Sequence, residues 1–271
     1  MTNLNKALTI AGSDTSGGAG MQADLKTMEE LGVFGMTALT CIVTMHPTTW
    51  KHSVFPLPID LVEKQLVTAI EGVGINAMKT GMLGSAALVE AVAAAIDKYA
   101  LQNVVIDPVM VCKGCDLILV PDAAQAIKEL LLPRCDIITP NTVEAAYLAD
   151  MPEVKTAVQI REAAERILAA GAKNVVIKGG ERLADDAAID VFYDGKEFLE
   201  MAVPKIYPSY NHGAGCTFSA AITAGLANGM TMKEAVKQAK AFVTAALRYG
   251  FPINTIVGCT NHTAYKKYGA C

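Results

Sequence analysis

The sequence predicts an α/β fold, a three-layer α/β/α sandwich around a mostly parallel central sheet with a small β flap. Three observations predict it. Short apolar runs alternate with helix-period runs from one end of the chain to the other. Most of the short runs are apolar on both faces, so each needs cover on both sides, which crossover helices supply in a parallel sheet. The alternation breaks once, at 189–203, where Ile189-Asp190-Val191-Phe192-Tyr193, the turn Asp194-Gly195 and a second run read as an antiparallel hairpin.

In chain order, the apolar run at 7–11 is the first strand, and the Gly-rich stretch behind it opens a helix at 21–31. A strand at 37–44, a helix at 59–71 and a strand at 77–80 follow by the same alternation. Helix 86–99, strand 104–106, helix 122–132 and strand 137–139 repeat it, and helix 157–171 leads to strand 175–177. After the hairpin, helices at 216–228 and 232–249 complete the pattern. A sheet of this kind places its ligand crevice outside the carboxyl ends of the strands.

The 271 residues are 52% hydrophobic and 18% charged, and folding a chain of this mass hides about 30,000 of about 41,000 Å². No Pro/Ser/Gly-rich or like-charged linker interrupts the pattern, so residues 1–271 read as a single domain. Lys and Arg number 23 against 27 Asp and Glu, a formal charge of −4. That leaves no basic footprint for nucleic acid and no polybasic anchor for a membrane surface. No apolar run is long enough to span a bilayer, and the polar residues 1–6 do not read as a signal peptide. Seven cysteines, an odd number at irregular spacing, point to free thiols in a reducing cytoplasm. An anionic ligand must be held by a few placed cations, backbone amides or a metal ion.

The strand ends carry the chemistry. After the first strand comes Ala11-Gly12-Ser13-Asp14-Thr15-Ser16-Gly17-Gly18-Ala19-Gly20. Gly18-x-Gly20-x-x-Ala23 fits the dinucleotide fingerprint only superficially, because the strand is read as stopping well before Gly18 and the second strand ends in Met45-His46, with no acid for a ribose. Asp24, in the helix that follows, reads as a carboxylate facing the crevice, a partner for a substrate hydroxyl. No window matches the P-loop pattern. Phosphate would instead meet Asn211-His212-Gly213-Ala214-Gly215-Cys216-Thr217. There two glycines let successive N–H groups point outward, and the helix N-terminus adds roughly half a positive charge.

Gly213 and Gly215 are therefore candidate anion-hole residues. Cys216, at the lip, is the candidate base, because a thiol of pKa about 8.5 falls to about 3.5–7.5 beside such a terminus. Asp107 after Ile106, Asn141 with Glu144 after Thr139, and Lys178 after Ile177 bring a carboxylate, an amide with a second acid, and a cation to the same rim. These are three kinds of Mg²⁺ or phosphate partner, although each would also serve as a strand-to-helix cap. Cys112-Lys113-Gly114-Cys115 has CxxC spacing, but no second ligand pair and no following helix support a zinc or redox site. His46, His52 and His262 read as solvated surface.

These motifs, taken in order, resemble the ribokinase superfamily in its vitamin-kinase branch. They are Ala11-Gly12-Ser13-Asp14 with the run 17–26, Lys79-Thr80-Gly81-Met82-Leu83, Asp107-Pro108-Val109-Met110, Thr139-Pro140-Asn141 with Glu144, Lys178-Gly179-Gly180, and His212-Gly213-Ala214-Gly215-Cys216-Thr217. The branch holds hydroxymethylpyrimidine (phosphate) kinases and, more similar to this chain, pyridoxal kinases of the same sequence type. The resemblance implies transfer of the γ-phosphoryl of ATP to the 5′-hydroxyl of pyridoxal, with pyridoxine and pyridoxamine as further acceptors and a hydroxymethylpyrimidine as the alternative substrate. It implies Cys216 as base with Gly213 and Gly215 in the anion hole, Lys178, Asn141 and Glu144 on ATP, and Asp107 and Glu144 on Mg²⁺. Asp24, Met45, Met82 and Val109 fall where the family surrounds its ring. Pyrimidine kinases commonly carry an amide or acid at the position of Met45, which can only pack, and this favours pyridoxal. Cys112 falls in a lid loop, where a thiol could add to the aldehyde of pyridoxal. Homodimers are usual in the resembling family.

Overall fold

The computed structural model describes residues 4–111, 118–180, 182–183 and 187–269. In chain order the elements begin with β1 (Lys6–Asp14), α1 (Gly20–Glu30), β2 (Phe34–Met45), β3 (His52–Pro56), α2 (Ile59–Val67), β4 (Ala77–Thr80) and α3 (Ala86–Lys98). They continue with β5 (Val104–Ile106), α4 (Pro121–Ala126), β6 (Ile137–Ile138), α5 (Thr142–Leu148), α6 (Ala157–Ala169) and β7 (Val175–Lys178). The last are β8 (Ala187–Tyr193), β9 (Phe198–Pro204), α7 (Ala214–Ala227), α8 (Met232–Arg248), β10 (Phe251–Pro252), β11 (Gly258–Cys259) and α9 (Ala264–Tyr268). Two compact units divide them. One is Met1–Gly84 with Leu101–Asn103 and Ile206–Cys271, and the other is Ser85–Ala100 with Val104–Lys205.

In the first unit β1 lies between β2 and β4, parallel to both, and β3 pairs antiparallel with the outer edge of β2. Leu8, Ile10 and Met78 on these strands are fully enclosed, as strands covered on both faces require. Helices α1 and α7 pack on β1, and α8 packs on α7. Every residue of α7 from Thr217 to Ala227 is buried, the pattern of a helix surrounded on all sides, whereas α8 alternates buried and open positions behind the capping box Thr231/Glu234.

In the second unit β5, β6 and β7 run parallel, and β8 and β9 extend the sheet antiparallel from β7. Helices α5 and α6 pack on β7. Both start at capping boxes, Asn141/Glu144 and Thr156/Gln159.

Each unit is thus a sheet with a parallel centre flanked by helices, the α/β class that the alternation predicts. The expected hairpin is present and forms the last two strands of its sheet. Among the differences from the expected ranges, β1 runs on past Ala11 to Asp14, α7 begins at Ala214 instead of Cys216, α2 and α4 stop earlier, and β3, α5, β10, β11 and α9 were not expected. All five residues of β3 are exposed, so it lacks the buried face that marks a strand in sequence. Among the described residues no helix is long and apolar enough to cross a membrane.

Candidate active site

The carboxyl end of β1 is held by Asp14. Its Oδ1 accepts the Ser16 N–H at 2.8 Å and its Oδ2 the Ala19 N–H at 2.8 Å, so the carboxylate folds the Gly-rich loop around itself. The same Oδ2 lies 2.7 Å from His212 Nε2. Burial would push the Asp14 carboxyl up, but the hydrogen bonds from His212 and Ser16 hold it below the usual carboxylate range.

His212 leads directly into the turn that opens α7. Gly213 caps the helix with φ +84°, and a Cβ there would stand 1.9 Å from the Gly18 carbonyl oxygen. Only glycine tolerates both the left-handed backbone and that approach. Gly215 and Cys216 fall in the first helical turn, both half-buried, where N–H groups have no intrahelical acceptor. The expectation that successive N–H groups of this turn point outward is corrected at Ala214, whose N–H donates to the Asn211 carbonyl at 3.1 Å.

Behind the turn, Thr217 is fully buried and its Oγ1 lies 3.0 Å from His262 Nε2. His262 is 6% exposed, which corrects its reading as surface. Burial, with the nearby Lys26 charge adding, lowers its pKa to about 4, so this imidazole is neutral at physiological pH.

Asp24 is also corrected. Its side chain is 0% exposed, both carboxylate oxygens accept from Lys79 Nζ at 2.9 Å, and Oδ2 accepts from Thr9 Oγ1 at 2.6 Å. A group enclosed in this way, tied to α1, β1 and β4 at once, does not face a crevice. Met45 and Met82 are half-buried. The Met82 carbonyl accepts from Thr40 Oγ1 at 2.7 Å, and its sulfur lies 3.8 Å from Cys41 Sγ.

In the second unit three strand ends meet. Asp107, 4% exposed just past β5, receives Lys178 Nζ at 3.1 Å and Thr139 Oγ1 at 3.2 Å on Oδ1. Asn141 Oδ1 accepts the N–H groups of Val143 and Glu144, and Glu144 Oε2 returns a bond to the Asn141 N–H at 2.9 Å. Glu144 Oε1 accepts from the Met110 N–H at 3.2 Å. The structure thus shows both side chains in the cap role. Burial pushes the Glu144 carboxyl up to about 7, the Asp107 charge adds to this, and Lys178 opposes it. Val109 is half-buried two residues beyond Asp107. Cys112 lies outside the described residues.

Among the described residues no group of three or more His, Cys, Asp or Glu side chains could cage a metal ion. Two carboxylates beside a lysine suit Mg²⁺ held partly by water and phosphate, the usual mode for that ion.

A left-handed glycine turn opening a buried helix, with acid, amide and lysine at successive strand ends, defines a ribokinase-like α/β protein. The chain belongs to the phosphomethylpyrimidine kinase family, whose model matches residues 14–261. It is 52% identical to the pyridoxine kinase of Bacillus subtilis, over 97% of this chain and 98% of that one. Among solved structures it is similar to the ADP complex of Bacillus subtilis pyridoxal kinase, with TM-score 0.94 and 52% identity over 97% of this chain and 99% of that one. It is similar also to the pyridoxal kinase of Staphylococcus aureus in complex with AMP-PCP and pyridoxal, with TM-score 0.93 and 47% identity over 98% of this chain and 96% of that one.

Sequence reasoning quoted Asp14, His212 and Lys79 inside motifs but gave them no role. Their partners lie 198 and 55 residues away, and no local pattern announces such pairs.

Proposed function

We propose that the chain is a pyridoxal kinase, transferring the γ-phosphoryl group of ATP to the 5′-hydroxyl of pyridoxal, with pyridoxine and pyridoxamine as further acceptors. The observation that carries this reading is Cys216 in the first turn of α7, behind a glycine turn closed against Gly18. Near-full-length similarity to proteins called pyridoxine and pyridoxal kinase supports the choice of acceptor.

Phosphoryl transfer asks the protein for position and charge more than for covalent work. In the first unit, Cys216 takes the proton of the attacking hydroxyl, and the N-terminus of α7 favours the thiolate that this needs. The first-turn amides, beginning with Gly215, hold charge on the transferring group, with Gly213 shaping the turn. In the second unit, Lys178 meets ATP phosphate, with Asn141 and Glu144 beside it. Mg²⁺ neutralises phosphate charge when bound, and Asp107 and Glu144 are the carboxylates that would hold it. Met45, Met82 and Val109 offer half-buried apolar contacts for the ring. Cys112 is the thiol whose sulfur bonds to the aldehyde carbon while its proton passes to the carbonyl oxygen, holding pyridoxal as a hemithioacetal.

Exposed apolar residues on neighbouring strands, Ile42 on β2 at 39% and Val54 and Phe55 on β3 at 48% and 55%, support a homodimer. Light scattering on the purified chain tests this, and a monomeric mass at micromolar concentration rejects it.

The second reading, hydroxymethylpyrimidine (phosphate) kinase, is favoured by the description of the matching family. Measuring kcat/KM with ATP for pyridoxal, pyridoxine, pyridoxamine and hydroxymethylpyrimidine separates the two. Pyridoxal should lead. Turnover of the pyrimidine without pyridoxal would reverse the order, and no turnover of any would reject the kinase reading.

A further inference from the structure

Asp190 sits on β8 directly opposite Lys178 of β7 in the antiparallel ladder, so the two side chains share a face of the sheet. It is 6% exposed. An acid in such a place needs a specific partner, and the backbone just past β7 supplies one: the Gly179 N–H donates to Asp190 Oδ1 at 3.1 Å and to the Ile189 carbonyl at 3.0 Å. No side chain fits at Gly179, since a Cβ there would stand 2.2 Å from the Ile189 oxygen. Gly180 follows with φ +52°, and the Gly179 carbonyl accepts the Arg182 N–H at 3.1 Å. Asp190 thus reaches from the neighbouring strand to hold the turn after Lys178, beside the Ile189 carbonyl. Meanwhile the Lys178 N–H is fixed by the Pro140 carbonyl at 2.9 Å and its Nζ by Asp107 at 3.1 Å.

We propose that Asp190 is a positioning residue for nucleotide phosphate: its hydrogen bond to the Gly179 N–H fixes the Lys178-Gly179-Gly180 turn in the form that meets ATP. This rests on the kinase reading above. Asp190 acts only through the turn, so its effect falls on the nucleotide and not on the alcohol.

The test is AMP-PCP affinity by calorimetry for wild type, Asp190→Ala, Asp190→Ser and Asp190→Asn, with KM for ATP and pyridoxal measured in parallel. Loss of a buried hydrogen bond to a carboxylate weakens AMP-PCP binding by about tenfold in the alanine variant. The serine variant, too short to reach, behaves alike and serves if the alanine variant does not fold. Asparagine keeps an acceptor oxygen and stays within about threefold of wild type. KM for pyridoxal is unchanged throughout. Wild-type affinity in both the alanine and serine variants overturns the proposal, as does an asparagine variant as weak as alanine or a proportional rise in both KM values. Failure of wild type to bind AMP-PCP would instead remove the kinase reading, and this proposal with it.

Discussion

Asp14 and His212, 198 residues apart in sequence, meet at 2.7 Å and join the loop after β1 to the turn that opens α7. The contact gives the Gly213 turn a fixed neighbour, because Gly18 lies in the loop that Asp14 organises. This pair holds the backbone of the turn in place, as an anion hole built before the charge arrives would require.

Gly213→Ala tests that closure. The new Cβ meets the Gly18 carbonyl at 1.9 Å in a left-handed backbone, so the loop must open or the turn must change. The backbone conformation alone costs about 1–2 kcal/mol, and the clash adds to it. Denaturant melts should show a loss of more than about 2 kcal/mol, with turnover falling further than stability. An alanine variant of wild-type stability would mean that the turn is loose.

Asp24 and Lys79 form an ion pair with both side chains 0% exposed. Removing one partner strands a charge, so Asp24→Leu or Lys79→Met alone should cost about 3–5 kcal/mol. The double variant should recover a large part, since a well-packed apolar pair is often neutral to stability. A double-mutant cycle by urea unfolding reads this directly, and additive losses would contradict a coupled pair.

His262 sets an acid limit. Its folded pKa of about 4 lies below the ordinary 6.5, so the unfolded chain takes up a proton first as pH falls. The stability it contributes is complete above pH 6.5 and is lost as pH falls through about 4, a loss of order 3 kcal/mol at about 1.4 kcal/mol per unit. His262→Gln should flatten the stability curve between those values. An unchanged slope would show that the imbalance in protons lies elsewhere.

Cys112→Ala should slow pyridoxal by about tenfold or more while leaving pyridoxine, which has no aldehyde, within about twofold. Equal losses on both substrates would remove the hemithioacetal.

The fold class was legible because buried strands write their burial into short apolar runs: Ile106 and Ile138 end β5 and β6, and Ile177 stands one residue before the end of β7. The start of α7 was legible to within two residues because two glycines before a run of helix formers mark a helix start. Asp24 was misread for the opposite reason: a carboxylate next to a Gly-rich loop reads as facing the crevice until Lys79, 55 residues later, is known to meet it. His262 follows Thr260-Asn261 in a polar stretch without period, so nothing local separates a buried imidazole from a surface one. β3 carries its residues in the open, and an exposed edge strand has no alternation to read.

The central claim is that the Cys216 sulfur takes the hydroxyl proton during phosphoryl transfer. Turnover of pyridoxal by Cys216→Ala, measured beside AMP-PCP affinity, tests it most directly. The expected result is a fall in kcat of about 10²–10⁴-fold with nucleotide affinity nearly intact; a variant that keeps more than about half of wild-type kcat, against that range, would contradict it.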